Sequence, residues 1–364
     1  MIALLSSIVY CYVGCSSGSP DKESLNVLEC DTETGAAKIV QTVKGFQGTT
    51  YFQVCGERLY TVFSEMREGK KRSCAARFPI GAQGRLGEMR RLAGLPCEAP
   101  CHVALSPDGK LFAFAAYGSA TVGVLPADGG EVRSFVLPDA GMGNFPGRQK
   151  KAYAHYAFFT PDAARVGFVD LGCDRIHFFD PATMERDEKM TVRADCGDGP
   201  RHCVWSKDGK FLFLLNELSN SVMSFGFDGR SFRRVGKWTT LPGGFKGFSK
   251  AAAIKLTGDG KILMASNRGC DSIAFFAVDS GSGRLEMRNI AMLKGPFPRD
   301  FELMPGEKFM VVGHKRGNEI QVYRFDRTAC TLEAVGEPLK AWMPLCFKFG
   351  KYDGGVFWPE FTCR

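Results

Sequence analysis

The sequence predicts an all-β chain: a seven-bladed β-propeller of four-stranded antiparallel blades, its ring closed by strands from the two termini. Three observations carry this expectation. One unit recurs along the chain: two apolar runs around a tight turn, a small polar break, then a third run ending near an Asp. The turn centres fall about fifty residues apart, the period of a four-stranded blade. Helical periodicity is nearly absent, while 43 Gly and 30 Phe suit turns and strands.

The elements follow in order. The apolar start "MIALLSSIVYCYVGC" resembles a signal peptide in length, but no basic residue precedes the run, and Tyr12 stands where a lipobox carries Leu. Ile8–Gly14 therefore reads as a first strand and "SSGS" as its turn. No other apolar stretch approaches a membrane span. Six copies of the unit come next: a weaker one in "TTYFQVCGERLYTVFSE", then those beginning at His102, His155, His202, Ala252 and Asp300. Their turns centre on Glu57, Gly109, Ala163, Gly209, Gly260 and Glu307. The Asp and Gly of "PDG" and "KDG" satisfy turn backbone and carry no chemistry. Ile8–Gly14 and "PLCFKFG" near the end lack partners, and together they would complete a seventh blade. The expected organisation is one propeller domain within 1–364, the blades spanning about 8–349 and a tail covering 350–364.

Repetition also serves as a ruler. Residues at equal offsets from the turn centres occupy equivalent places around a central channel. Eight before the centres stand Thr49, Cys101, His155, Arg201, Ala252 and Arg299; eight after them stand Glu65, Tyr117, Leu171, Glu217, Arg268 and Lys315. A hairpin returns the chain to where it began, so both sets lie at one end of the inner strands. Arg201 and Glu217, equidistant from Gly209, should sit side by side. Guanidinium groups gathered around a carboxylate suit an anionic substrate, and an arginine can stabilise the oxyanion formed at an ester carbonyl. Glu217 should stay ionised, His155 should titrate near neutrality, and either could activate water. By strand alternation His102 and His202 should face away from the channel.

Composition narrows the remaining classes. Apolar residues at 45% and charged residues at 24% fit a soluble globular protein with a sizeable core. A net charge of +8 is spread out, apart from Arg67–Arg72 and Gly147–Lys151, which read as solvated loops rather than a nucleic-acid footprint. The 14 cysteines are irregularly spaced, several inside apolar runs such as those of Cys203 and Cys346, so buried free thiols are expected. Cys11/Cys15 and Cys97/Cys101, with five dispersed histidines, make a poor metal case, and no cofactor is expected. The motifs "GxSxG", "HExxH" and "GxxxxGK[ST]" are missing.

"PCHVALSPDGKLFAFAAYGS", "DLGCDR", "GPRH" with "NEL" fifteen residues on, "SNRGCDSIAFF" and "PRDF" occur in this order. Together they resemble the seven-bladed lactonase family, which includes propeller-type 6-phosphogluconolactonases and carboxy-cis,cis-muconate cyclases, over about Tyr10 to Phe349. The resemblance implies a lactone-handling site made by His155, Arg201, Glu217 and Arg268, the positions that the ruler singles out. Arg299, Tyr117 and Lys315 are the expected substrate-binding neighbours. The chain departs from the family pattern with Tyr153-Ala154-His155 in place of "HPH" and Ala116-Tyr117 in place of "NY". The leading expectation is a cytoplasmic, metal-independent hydrolase of 6-phosphoglucono-1,5-lactone in the oxidative pentose phosphate route. It would act as a monomer or weak dimer on a small anionic lactone, without nucleic-acid or membrane partners. Another sugar lactonase, a muconate-type cycloisomerase, and a non-catalytic binding platform are the alternatives.

Overall fold

The computed structural model describes residues 7–16, 18–19, 21–67 and 69–350. They form seven four-stranded antiparallel sheets and one short 3-10 turn, Ala82–Gly84. From the channel outward, blade 3 is Pro100–Leu105, Leu111–Ala116, Thr121–Pro126 and Arg133–Val136. Blade 4 starts with Ala154–Phe159 and Val166–Asp170, blade 5 with Pro200–Trp205 and Phe211–Asn216, blade 6 with Lys250–Leu256 and Ile262–Arg268, and blade 7 with Pro298–Leu303 and Phe309–His314. Blade 2 runs Phe52–Cys55, Arg58–Arg67, Lys70–Pro79 and Arg90–Leu95.

Blade 1 closes the ring. Its inner strand, Pro344–Phe349, pairs with Ile8–Cys15 from the other end of the chain, Cys11 opposite Phe349 and Val13 opposite Phe347. Leu25–Asp31 and Ala37–Val43 complete it. Closure removes the exposed edge that an open ring would present. Of the expected tail, 351–364 lies outside the described residues.

The recurrent turn has one physical cause. The Ser106, Thr160, Ser206 and Thr257 hydroxyls each donate to the Asp two positions on, at 2.6–2.8 Å. The turn centres Gly109, Gly209 and Gly260 adopt φ of +69° to +76°, where glycine carries no Cβ penalty. Ala163 and Glu307 hold the same left-handed conformation at φ 57° and 56°.

Apolar packing lies between neighbouring blades. Tyr156, Phe158 and Phe178 of blade 4 meet Trp205, Leu212 and Leu214 of blade 5, and Val9, Cys11 and Val13 of blade 1 meet Phe309 and Val311 of blade 7. Among the described cysteines, Cys55 is disulfide-bonded, which corrects the expectation of free thiols at that position. The others are free thiols, buried except for Cys97, Cys101 and Cys196.

Candidate active site

The positions eight before the turns share a backbone feature that sequence reasoning missed. In blades 3, 4, 5 and 7 the inner strand shifts register across Pro100/His102, Ala154/Tyr156, Pro200/His202 and Pro298/Asp300. The bulged residues are Cys101, His155, Arg201 and Arg299. A bulge inserts one extra residue and re-aims its neighbours. Strand alternation therefore fails here, and His102 and His202 do not turn away from the channel. Their rings lie 5.6 Å apart although their strands belong to blades 3 and 5, and both pack with Tyr51 and Tyr156 in a buried column. This corrects the outward placement.

Above the column sits a carboxylate ringed by arginines. Glu217 and Arg201 are each 2% exposed. The Arg201 Nε donates to Glu217 Oε2 at 3.1 Å, and Arg268 Nη2 lies 2.9 Å from the same oxygen. Arg148 Nη2 donates to Glu217 Oε1 at 2.7 Å. Backbone carbonyls fix two of these guanidiniums: Arg201 Nη1 donates to Ala252, and Arg268 donates to Lys250 at 3.3 Å and Ala251 at 2.8 Å. Arg201 Nη1 also lies 2.9 Å from His202 Nε2.

Arg148 is the residue that sequence reasoning placed wrongly. The Gly147–Lys151 cluster was expected to be a solvated loop, yet Arg148 reaches Glu217, Gln149 is buried, and Lys151 Nζ donates to the Gly118 carbonyl at 2.5 Å. Its signal was available in the long segment between Val136 and Ala154, far beyond an ordinary blade connection.

The remaining expected residues gather around this pair. Tyr117 stacks on Tyr153 with ring centroids 4.6 Å apart, meets the His155 ring edge-on at 5.6 Å, and accepts from Arg148 at 3.3 Å. Arg299 and Lys315 have Arg268 among their close charges. Neither has a side-chain hydrogen bond or ion pair among the described residues. Phe297 holds a left-handed backbone at φ 64° and has two guanidiniums over its ring, Arg268 at 5.4 Å and Arg316 at 4.2 Å. Such a conformation in a bulky residue is held only by its surroundings: the Phe297 N–H donates to Asp271, and its carbonyl accepts from Lys315 N–H. Glu65 pairs with Arg91 instead.

Electrostatics distinguish the roles open to these groups. Burial opposes ionisation of Glu217, but Arg268, Arg201 and Arg148 outweigh it and hold the carboxyl well below its ordinary range. Burial, reinforced by Arg201, pushes His155 well below the usual histidine value, which corrects the expectation of titration near neutrality. Its imidazole is neutral at pH 7, and its buried Nδ1 has no hydrogen-bond partner among the described residues. Burial and then Arg299 lower Lys315 to about 8. Burial and then Arg299 and Arg268 lower Arg201 to about 9, so it stays protonated at neutral pH. No group of three or more His, Cys, Asp or Glu among the described residues could hold a metal ion.

Buried arginines concentrated at one channel mouth of a closed propeller, with a neutral imidazole beside them, are chemically suited to small anions or developing oxyanions. Residues 10–349 match the model of the family described as lactonase, 7-bladed beta-propeller, and the chain belongs to that family. A 6-phosphogluconolactonase of Bacillus subtilis is 31% identical over 255 residues, covering 69% of this chain and 73% of that protein. The solved structure of a Pseudomonas aeruginosa periplasmic gluconolactonase is 26% identical with a TM-score of 0.84, covering 95% of this chain and all of the other. A Lactobacillus plantarum structure is 27% identical with a TM-score of 0.82, covering 94% of this chain. No helix among the described residues is long and apolar enough to cross a membrane.

Proposed function

We propose that this lactonase hydrolyses 6-phosphoglucono-1,5-lactone to 6-phosphogluconate in the pentose phosphate route. The observation that supports this reading best is the excess of cations over carboxylates at the mouth: among the described residues, Arg299 and Lys315 remain without ion-pair partners after Glu217 has engaged Arg148, Arg201 and Arg268. Unengaged cations in a partly dry site attract a phosphate strongly.

In this mechanism Arg299 and Lys315 hold the phosphate, while Arg201 and Arg268 polarise the lactone carbonyl. His155 is the base, because both Glu217 oxygens already accept from arginines, whereas the neutral imidazole of His155 has an Nδ1 with no hydrogen-bond partner among the described residues. Water attacks the carbonyl carbon as its proton passes to His155; the arginines stabilise the resulting oxyanion. The tetrahedral adduct then collapses, the bond from carbonyl carbon to ring oxygen breaks, and His155 returns the proton to that oxygen. Glu217 orients the guanidiniums and takes no proton.

We place the reaction in the cytoplasm, with the described cysteines other than Cys55 as free thiols in support. The ligand is a small anionic lactone and the working unit a monomer or weak dimer. Hydrolysis of freshly generated 6-phosphogluconolactone, corrected for spontaneous opening, tests the reading with wild type, Arg201→Ala and His155→Gln. Wild-type turnover equal to the buffer blank overturns it.

A further inference from the structure

The segment 137–153 joins the outer strand of blade 3 to the inner strand of blade 4. Most connections in compact domains run roughly 4–6 residues, and a much longer ordered one is usually functional. Here the extra chain is stapled from within. Gln149 is 6% exposed, and its amide donates to the Leu171 carbonyl and to Asp174 Oδ1, both at 2.8 Å, while its oxygen accepts from Phe145 N–H at 2.9 Å. Asp174, 5% exposed, also accepts from Gly197 and Gly199 N–H at 2.8 and 2.7 Å. Gly143 packs so closely that a Cβ there would lie 2.1 Å from Gln149 Oε1 and 2.2 Å from Asp174 Oδ2. The staple thus ties the segment to the approach to blade 5.

Its product is the placement of one side chain. Arg148, next to Gln149, projects over the mouth, with 27% of its side chain exposed above a Glu217 side chain exposed by 3%. Arg201 and Arg268 are nearly buried and pinned by strand carbonyls. Among the described residues the Arg148 side chain is held only by Glu217 and by the Tyr117 hydroxyl, so it can turn toward a ligand while its backbone stays fixed. A partly exposed guanidinium above a carboxylate already served by two other arginines is not needed to neutralise it.

We propose that Arg148 is a specificity-determining residue that contacts the anionic substituent of the lactone, and that Gln149 and Asp174 are positioning residues acting through it. This rests on the lactonase reading above and adds the element that selects a charged over an uncharged lactone. A charge-assisted hydrogen bond in such a site corresponds to roughly 10- to 100-fold in affinity.

The test compares wild type, Arg148→Met, Arg148→Lys and Gln149→Leu on 6-phosphogluconolactone and on unphosphorylated glucono-1,5-lactone. The ratio of kcat/KM for the phosphorylated over the unphosphorylated lactone should fall roughly 10- to 100-fold in Arg148→Met. It should recover partly in Arg148→Lys and fall in the same direction in Gln149→Leu, mainly through KM. Equal proportional losses on both lactones overturn the inference while leaving the lactonase reading intact. Calorimetric titration of the same proteins with 6-phosphogluconate and gluconate separates the two claims. If wild type opens neither lactone yet Arg148→Met weakens only 6-phosphogluconate binding, the activity falls and the inference stands. If wild type opens neither lactone and binds both acids alike, both fall.

Discussion

Arg201 Nε lies 3.1 Å from Glu217 Oε2, and the two side chains are 2% and 3% exposed. Burial this complete makes the carboxylate a fixed part of the arginine array. Two guanidiniums that approach one another in a dry environment repel, and a shared counter-ion between them offsets that repulsion.

Glu217→Gln leaves Arg201, Arg268 and Arg148 without their common anion. Removing one partner of a buried charge pair typically costs about 3–5 kcal/mol. Urea unfolding should show a loss of that order, together with a fall in kcat/KM on any lactone the protein opens. A stability within about 0.5 kcal/mol of wild type, an ordinary surface value, contradicts the central role assigned to the carboxylate.

Acid should destabilise the fold from about pH 6.5 downward. His102, His155 and His202 are buried and their pKa values lie well below the usual range, desolvation being the main cause; burial also lowers His314 to about 4. A folded-state pKa below the unfolded value means that the unfolded chain binds more protons as pH falls, so stability is complete above the unfolded pKa and drains below it. Each such histidine contributes up to about 1.4 kcal/mol per pH unit. The Glu217 contribution, present above the unfolded carboxyl pKa, is lost only at lower pH, as the folded pKa is approached. Denaturant midpoints measured between pH 7.5 and 4.5 check this, and a flat profile contradicts it.

Anion binding should weaken as pH rises through 8. Burial, then Arg299 and Arg268, brings Lys315 to about 8, and its charge disappears above that value. Calorimetric titration with 6-phosphogluconate should give a dissociation constant that climbs between pH 7 and 9 in wild type. In Lys315→Arg the climb should vanish, because guanidinium stays protonated. An identical climb in both proteins assigns it to another group.

Ring closure should be felt at Phe347. This side chain is fully buried between blades 1 and 7, on the strand that pairs with the N-terminal segment. Phe347→Ala should cost about 3–5 kcal/mol. Measured by chemical unfolding, a cost below about 1 kcal/mol shows that the closing strand contributes little.

The sequence by itself determined the repeat, the closure and the common rim. Turns that need a left-handed residue at Gly109, Gly209 and Gly260 recur at a constant spacing, and two unpaired apolar runs remain at the ends. Equal offsets in equal hairpins put Arg201, Glu217 and Arg268 together without any reference to coordinates. Tertiary structure alone decided three further points. The bulges at Cys101 and Arg201 depend on how each inner strand bends at the channel, and they bring His102 and His202 into the column against simple alternation. Arg148 reaches Glu217 only because the Gln149–Asp174 staple folds a long connection over the mouth. Finally, the protonation states of Glu217, His155 and Lys315 follow from desolvation and from charges brought near by folding. Repetition along a chain is local information, whereas the field at a buried atom is the sum over groups far apart in that chain.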